Sequence, residues 1–319
     1  MKALRILSGL AAMALAGPAA AQLVIAPPAP PPLPLEDDTI LAFGDADLRM
    51  TVPVRIGGRG PWDFIVDTGA ERTVVSRQLA GVLGLPAGAN VRVTAMTGTS
   101  TVGTVIVPKL SVSTISQATI QAPALETRHM GAVGMLGIDA LQGHSVAIDF
   151  DAKQMKLRPS RRRTARLRPN SDEIVIVAKS LFGQLIVTDA HWRNVRIAVV
   201  IDTGSPVSIG NRALLAAIAK RPKPLGPLSM TSATGQVLVT DAFVVDRLEV
   251  GGVGFSNVRV AFSDAPPFRR FGLNKRPALL LGMDVLRLFR TVNIDFANRE
   301  IRFRFPRGMV NPTTMINGV

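Results

Sequence analysis

Short apolar runs rich in valine and threonine, each closed by a glycine or a polar break, recur along the chain and predict strands rather than long helices. One such run, Phe64-Ile65-Val66, leads straight into Asp67-Thr68-Gly69, and an apolar pair, Val74-Val75, follows a short polar break. Ser76 then stands where an N-cap belongs, ahead of RQLAGVLGL, residues 77–85, which reads as a short helix. The same succession returns in AVVIDTGSPVSIG, residues 198–210, with Asn211 as the cap and RALLAAIAK, residues 212–220, as the helix.

The echo continues through the rest of each half. TAMTGTSTVGTVIV, residues 94–107, pairs with TSATGQVLVTDAFVV, residues 231–245, and both read as hairpins with a glycine at the turn, Gly98 and Gly235. A strand and turn at 108–115 is matched at 246–253. GMLGIDAL, residues 134–141, answers to LLLGMDVL, residues 279–286, and a last strand pair at 146–157 answers to one at 292–303. The chain therefore reads as two copies of one small all-β lobe with few short helices, a size that a domain commonly has. The boundaries are residues 40–159 for the first lobe and 173–307 for the second, with a basic linker at 160–172 and a tail at 308–319.

Ahead of the lobes, residues 1–21 carry Lys2 and Arg5, a short apolar stretch and three alanines at 19–21, the pattern of a secretory signal peptide. The apolar stretch is short of the roughly 20 residues that a membrane span needs, which weighs against the alternative of an uncleaved anchor. Residues 22–39, rich in proline, read as an extended linker. Export to a periplasm or to the medium is the expected localisation, with no span in the mature chain.

Composition removes several kinds of chemistry. The 319 residues include no cysteine and no tyrosine, so thiol nucleophiles, Cys-built metal sites and disulfides are excluded. The three histidines, His129, His144 and His191, show no ligand or triad spacing, and no metal or cofactor is expected. The formal charge of +14 invites nucleic acid or an anionic surface as partner, but the arginines are scattered outside SRRRTARLRP, residues 160–169. With no aromatic or helix-turn-helix pattern beside them, the charge reads as a solvated linker and surface, and no nucleic acid is expected.

The duplicated aspartate is what remains. A buried carboxylate is costly unless its charge is shared or hydrogen-bonded. If two equal lobes pair about a pseudo-twofold axis through these loops, Asp67 and Asp202 meet and share one proton. Gly69 and Gly204 let backbone amides approach the carboxylates, and Thr68 and Thr203 reach across to lock the loops. Such a pair can draw a proton from a water held between the carboxylates while the protonated member hydrogen-bonds to the carbonyl under attack.

These residues resemble a known family. FIVDTGA and VVIDTGS, each followed in its own lobe by an apolar pair and glycine (Met135-Leu136-Gly137 and Leu280-Leu281-Gly282), look like the aspartic proteases of the pepsin and retropepsin type. The LGIDAL and LGMDVL wording is nearest to the retropepsin-like bacterial members. The resemblance implies two β-barrel lobes in one monomeric chain and an extended peptide or protein as substrate. It implies Asp67 and Asp202 as the catalytic pair, with Thr68, Gly69, Ala70, Thr203, Gly204 and Ser205 forming the loops around them. The hairpins at Gly98 and Gly235 would be flaps over the substrate. The absence of tyrosine departs from the pepsin flap and points to two similar flaps.

Ala70 and Ser205 differ at the position after the motif, and a Ser205 hydroxyl donating to Asp202 would make Asp202 the more readily ionised member. Asp139 and Asp284 read as helix caps rather than catalysts. Asp149 and Asp295 read as hairpin or ion-pair residues, and Trp62 and Trp192 as packing. FRRFGLNKRP, residues 268–277, has no counterpart in the first half and reads as a solvated insertion that would otherwise rim the cleft with charge. A non-catalytic peptide-binding module on the same fold is the alternative to an endopeptidase.

Overall fold

The structure, a computed structural model, describes residues 39–42, 44–46, 48–113, 115–164, 169–218, 222–309 and 315–318. The signal peptide and nearly all of the proline-rich linker lie outside the described residues, as do 165–168 of the basic linker and 310–314 and 319 of the tail.

Each half folds its strands in one order. In the first, the run is 87–95, 98–107, 120–125, 74–76, 134–136, 59–66 and 49–56, and two further short strands, 110–112 and 115–117, extend it. In the second, the matching run is 223–231, 237–245, 258–262, 208–210, 278–281, 198–201 and 184–187. The repeat seen along the chain is thus a repeat of topology. Strand ends carry it: in Arg59–Val66 the last three residues are buried and the first are exposed, so the strand dives into the core just before Asp67.

Helices are short, and the two that follow the DTG strands are capped by side chains. Ser76 accepts from the amide of Leu79 and Asn211 from that of Leu214, at 3.0 and 2.8 Å. The first helix, Arg77–Leu83, stops at Gly84, which adopts the left-handed conformation with φ 65°. The second, Arg212–Ala217, is shorter than its apolar sequence suggests, and residues 219–221 lie outside the described residues.

The halves are joined by a third sheet. Its six strands run Thr39–Ala42, Gln154–Pro159, His144–Asp149, Thr291–Asp295, Glu300–Arg304 and Glu173–Val177. The middle pair brings the closing hairpins of the two halves together, with Ala147 opposite Asn293. One hydrophobic core runs through both halves, and two smaller clusters flank the cleft. Residues 38–319 form a single unit.

Two segments expected to be solvated are not wholly so. Arg163, at the start of the basic linker, pairs with Glu300 and Asp295, both buried, and Ser160 donates to Asp295 at 2.7 Å. Two buried acids need cations beside them, and the linker supplies Arg163 to both while Arg302 also reaches Glu300. In 268–277, Phe268 and Phe271 are buried, and Arg270 forms a two-pronged ion pair with Glu71 while its guanidinium lies over Phe182. The segment is a latch on the first lobe, not a loose insertion. Trp192 is buried and stacks on Phe262.

Candidate active site

Each aspartate is presented by a strand crossing. Strand Gly134–Leu136 lies parallel to the end of Arg59–Val66 and antiparallel to Val74–Ser76. The amide of Asp67 donates to the carbonyl of Leu136 at 2.9 Å, so the turn after Val66 is pinned where the strand ends. In the second lobe, Ala278–Leu281 plays the same part beside Ala198–Ile201, and Asp202 donates to Leu281 at 3.0 Å. The apolar-apolar-glycine runs are needed there because a Cβ on Gly137 or Gly282 would press into backbone, within 2.4 Å of Arg72 and 2.7 Å of Val207.

The two loops interlock. Thr68 donates its hydroxyl to the Ile201 carbonyl at 2.9 Å and accepts from the Thr203 amide at 3.2 Å. Thr203 mirrors this, donating to Val66 at 2.7 Å and accepting from the Thr68 amide at 3.0 Å. Both threonines are buried, so these four bonds join the lobes without competition from water. Gly69 and Gly204 then face the opposite carboxylate. A Cβ on Gly69 would lie 2.7 Å from an oxygen of Asp202, and one on Gly204 would lie 2.2 Å from the carboxyl carbon of Asp67. The loops meet so closely that only glycine fits.

One oxygen of each carboxylate is held by its own loop. Asp67 Oδ1 accepts from the amides of Gly69 and Ala70 at 2.8 and 3.0 Å, and Asp202 Oδ1 from those of Gly204 and Ser205 at 3.0 and 3.1 Å. Burial raises both carboxyls above the usual range, and the charge of Asp67 beside it takes Asp202 up to about 7. The backbone amides, and Arg49 at the edge of the site, pull the other way on both. The order of ionisation expected from a Ser205 hydroxyl bonded to Asp202 loses its ground here. The Ser205 hydroxyl donates to the Val207 carbonyl at 2.7 Å, so it gives no proton to Asp202.

Asp139 and Asp284 are structural, by a route other than simple capping. Asp139 accepts from both the amide and the hydroxyl of Thr73, at 2.8 and 2.7 Å, and that hydroxyl accepts in turn from Gly137. Asp284 holds Ser208 in the same way, and Ser208 accepts from Gly282. Each carboxylate therefore ties the strand after the DTG loop to the strand that crosses it. Asp149 accepts from Ala152 at its hairpin turn.

A cleft of about 540 Å³ opens over the pair. Two hairpins cover it, Ala87–Ala95 with Gly98–Val107 and Lys223–Thr231 with Val237–Val245. Their tips touch, with Thr97 donating to the Gln236 side chain at 2.7 Å. Met96 packs on the second lobe's apolar cluster and Ala233 on the first lobe's, so each tip crosses to the other side. Gly235 has φ 90°, which favours glycine, and His129 lies against it so closely that a Cβ would meet the ring at 2.3 Å. Gly98 and Gly235 shape the tips, and the cleft itself is faced by neighbours such as Met96 and Ala233. Sequence reasoning missed Arg49, Arg128 and Gln184. Gln184 is fully buried and donates to the Gly69 carbonyl at 3.3 Å. Strand register would have drawn attention to Arg49 and Gln184, and the placing of the helix Thr127–Met130 beside the cleft to Arg128; neither is written in the sequence.

Two β lobes of one topology, closed by paired DTG loops under two hairpins, define a two-lobed all-β aspartic protease fold. Residues 52–143 match a family described as "gag-polyprotein putative aspartyl protease", and residues 187–285 match one described as "Aspartyl protease". The chain belongs to the retropepsin-like aspartyl proteases, with both lobes in one chain. No match was found among curated proteins.

Proposed function

We propose that the protein is an aspartic endopeptidase in which Asp67 and Asp202 act together on a water and the peptide carbonyl. The observation that carries the reading is the pair itself: two carboxylates so close that each bars a Cβ on the opposite glycine, in a cleft beneath two touching flaps. Such carboxyls cannot both ionise cheaply, so the pair holds one proton near neutral pH and titrates as a unit.

The burial and mutual charge that raise Asp202 support it as the member that keeps the proton in the resting pair. Asp67 then takes the proton of the attacking water, while Asp202 hydrogen-bonds to the carbonyl oxygen. The resulting tetrahedral diol collapses as a proton passes to the leaving nitrogen, with no covalent enzyme intermediate. Thr68, Thr203 and the glycines serve by fixing the carboxylates, since a misplacement near 1 Å costs about 100-fold in rate. The flaps exclude water and pair with an extended backbone. The apolar faces of the cleft, Val74 and Met135 on one side, Ile209 and Phe271 on the other, suit apolar side chains at the scissile bond.

The reading extends to a monomer with an internal pseudo-twofold and, from residues 1–21, to an exported enzyme. Among the described residues, no helix is long and apolar enough to cross a membrane. Digestion of a denatured protein or a peptide library by the mature chain tests the activity. Cleavage that disappears in Asp67→Asn supports the reading, and peptide binding without cleavage replaces it by a non-catalytic module.

A further inference from the structure

The cleft is charged by one lobe only. Apart from the two aspartates, the charged or titratable side chains that face it among the described residues are Arg49, Arg128 and His129, all from the first lobe. The second lobe contributes apolar and small polar groups there and no cation.

This asymmetry is built into matching positions. Thr51 lies opposite Ile65, and Ile186 opposite Val200. Ile65 and Val200 each stand two residues before the aspartate of their own lobe, so Thr51 and Ile186 are equivalent, and so are Arg49 and Gln184. One lobe therefore places a guanidinium where the other buries a neutral amide against the Gly69 carbonyl. Arg128, on the short helix Thr127–Met130, is exposed and makes no ion pair among the described residues. The second lobe's own basic stretch does not balance these. Arg270 is held by Glu71 and Phe182, and what that stretch turns toward the cleft is Phe271, with Pro267 just ahead of it.

We propose that the cleft selects peptides with an aspartate or glutamate flanking the scissile bond, within reach of Arg49 or Arg128, and disfavours lysine or arginine at the same places. The inference rests on the peptidase reading for its readout of cleavage, though not for its readout of binding. Apolar walls focus the field of a fixed cation, and the net charge of +14 adds a far field of the same sign. An acidic substrate gains at capture and in the bound state. A basic one meets the like charge of Arg128 and Arg49, while among the described residues the anions facing the cleft are the pair engaged in chemistry.

The test uses fluorogenic peptides with a Leu-Phe centre that differ by Glu, Gln or Lys at one position, scanned over three positions on either side. They are assayed at about pH 6, where the glutamate is ionised. The quantity read is the ratio of kcat/KM for the Glu and Lys peptides within each protein, so any loss of folded enzyme cancels. The expected ratio is about tenfold or more at one position at least, falling with added salt. It falls toward one in Arg49→Gln, which copies the second lobe, in Arg128→Gln, or in the double variant. A ratio near one at every position in the unaltered protein, or one that none of the three variants lowers, overturns the proposal. Binding of the same labelled peptides to Asp67→Asn, followed by anisotropy, separates the two claims. Preferential binding of the Glu peptide without cleavage by the unaltered protein keeps this inference and ends the peptidase reading. Cleavage with no charge preference does the reverse.

Discussion

Gly204 carries no side chain and for that reason decides the geometry of the site. An added methyl would meet the Asp67 carboxyl carbon at 2.2 Å, and the loop cannot back away because Thr203 is bonded to Val66 and Thr68. Gly204→Ala is expected to lower kcat by about 100-fold or more, by the cost of a 1 Å displacement. Gly69→Ala, with an approach of 2.7 Å, should be milder. Steady-state kinetics on a single peptide checks the order. Asp202 makes a second prediction at this scale. Its folded carboxyl lies at about 7, above the ordinary 3.8. The folded state therefore holds the proton more tightly than the unfolded chain. The stability that this provides is fully present below about pH 4 and is lost as pH rises through 7. Asp202→Asn removes that loss, so thermal melts should show the variant gaining on the unaltered protein between pH 4 and 7. A constant difference across that range would contradict the assignment.

At the scale of the element, the two flaps close the cleft from opposite lobes. Their tips are joined by Thr97 and Gln236, and the Gly235 turn is seated against His129. Gly235→Ala places a Cβ at φ 90° and against the imidazole, and should raise KM several-fold with a smaller effect on kcat, since closure rather than chemistry is disturbed. Much at this scale was legible in the chain. The DTG strands, their Ser76 and Asn211 caps and the crossing Gly134–Leu136 and Ala278–Leu281 strands are local patterns of period and punctuation, and they lie where expected. The outer flap strands 87–95 and 223–231 are not legible as partners of the hairpins, because their inward alternation is short, Val91 and Val93 in one and Leu228 and Met230 in the other, and their far ends carry glycine or proline. Arg49 and Gln184 were invisible for another reason: they matter through cross-lobe distance, which residue types along a strand do not encode. Ser205 misled because a hydroxyl near a carboxylate has other acceptors, and here it takes Val207.

For the whole molecule, the question is whether the lobes are separate bodies. They share a six-stranded sheet, one continuous core and the four buried bonds of Thr68 and Thr203. Each lobe alone would open to water the edge of His144–Asp149 or Thr291–Asp295 and the apolar side chains that the two halves bury together. Calorimetry of the mature chain should therefore show one cooperative transition with equal calorimetric and van't Hoff enthalpies. Two resolved transitions would mean that the seam is weak. The seam also explains why the site needs both halves: neither aspartate has its neighbour, its opposing glycine or its threonine lock within its own lobe.

The central claim is that Asp67 and Asp202 work as one acid–base unit, and the pH dependence of peptide cleavage tests it most directly. With one proton shared, kcat/KM should follow a bell whose basic limb falls tenfold per pH unit above about 7, where Asp202 ionises. Asp67→Asn and Asp202→Asn should each abolish cleavage, because each removes half of the unit. Activity that persists in either variant, or that holds level well above pH 7, would contradict the account.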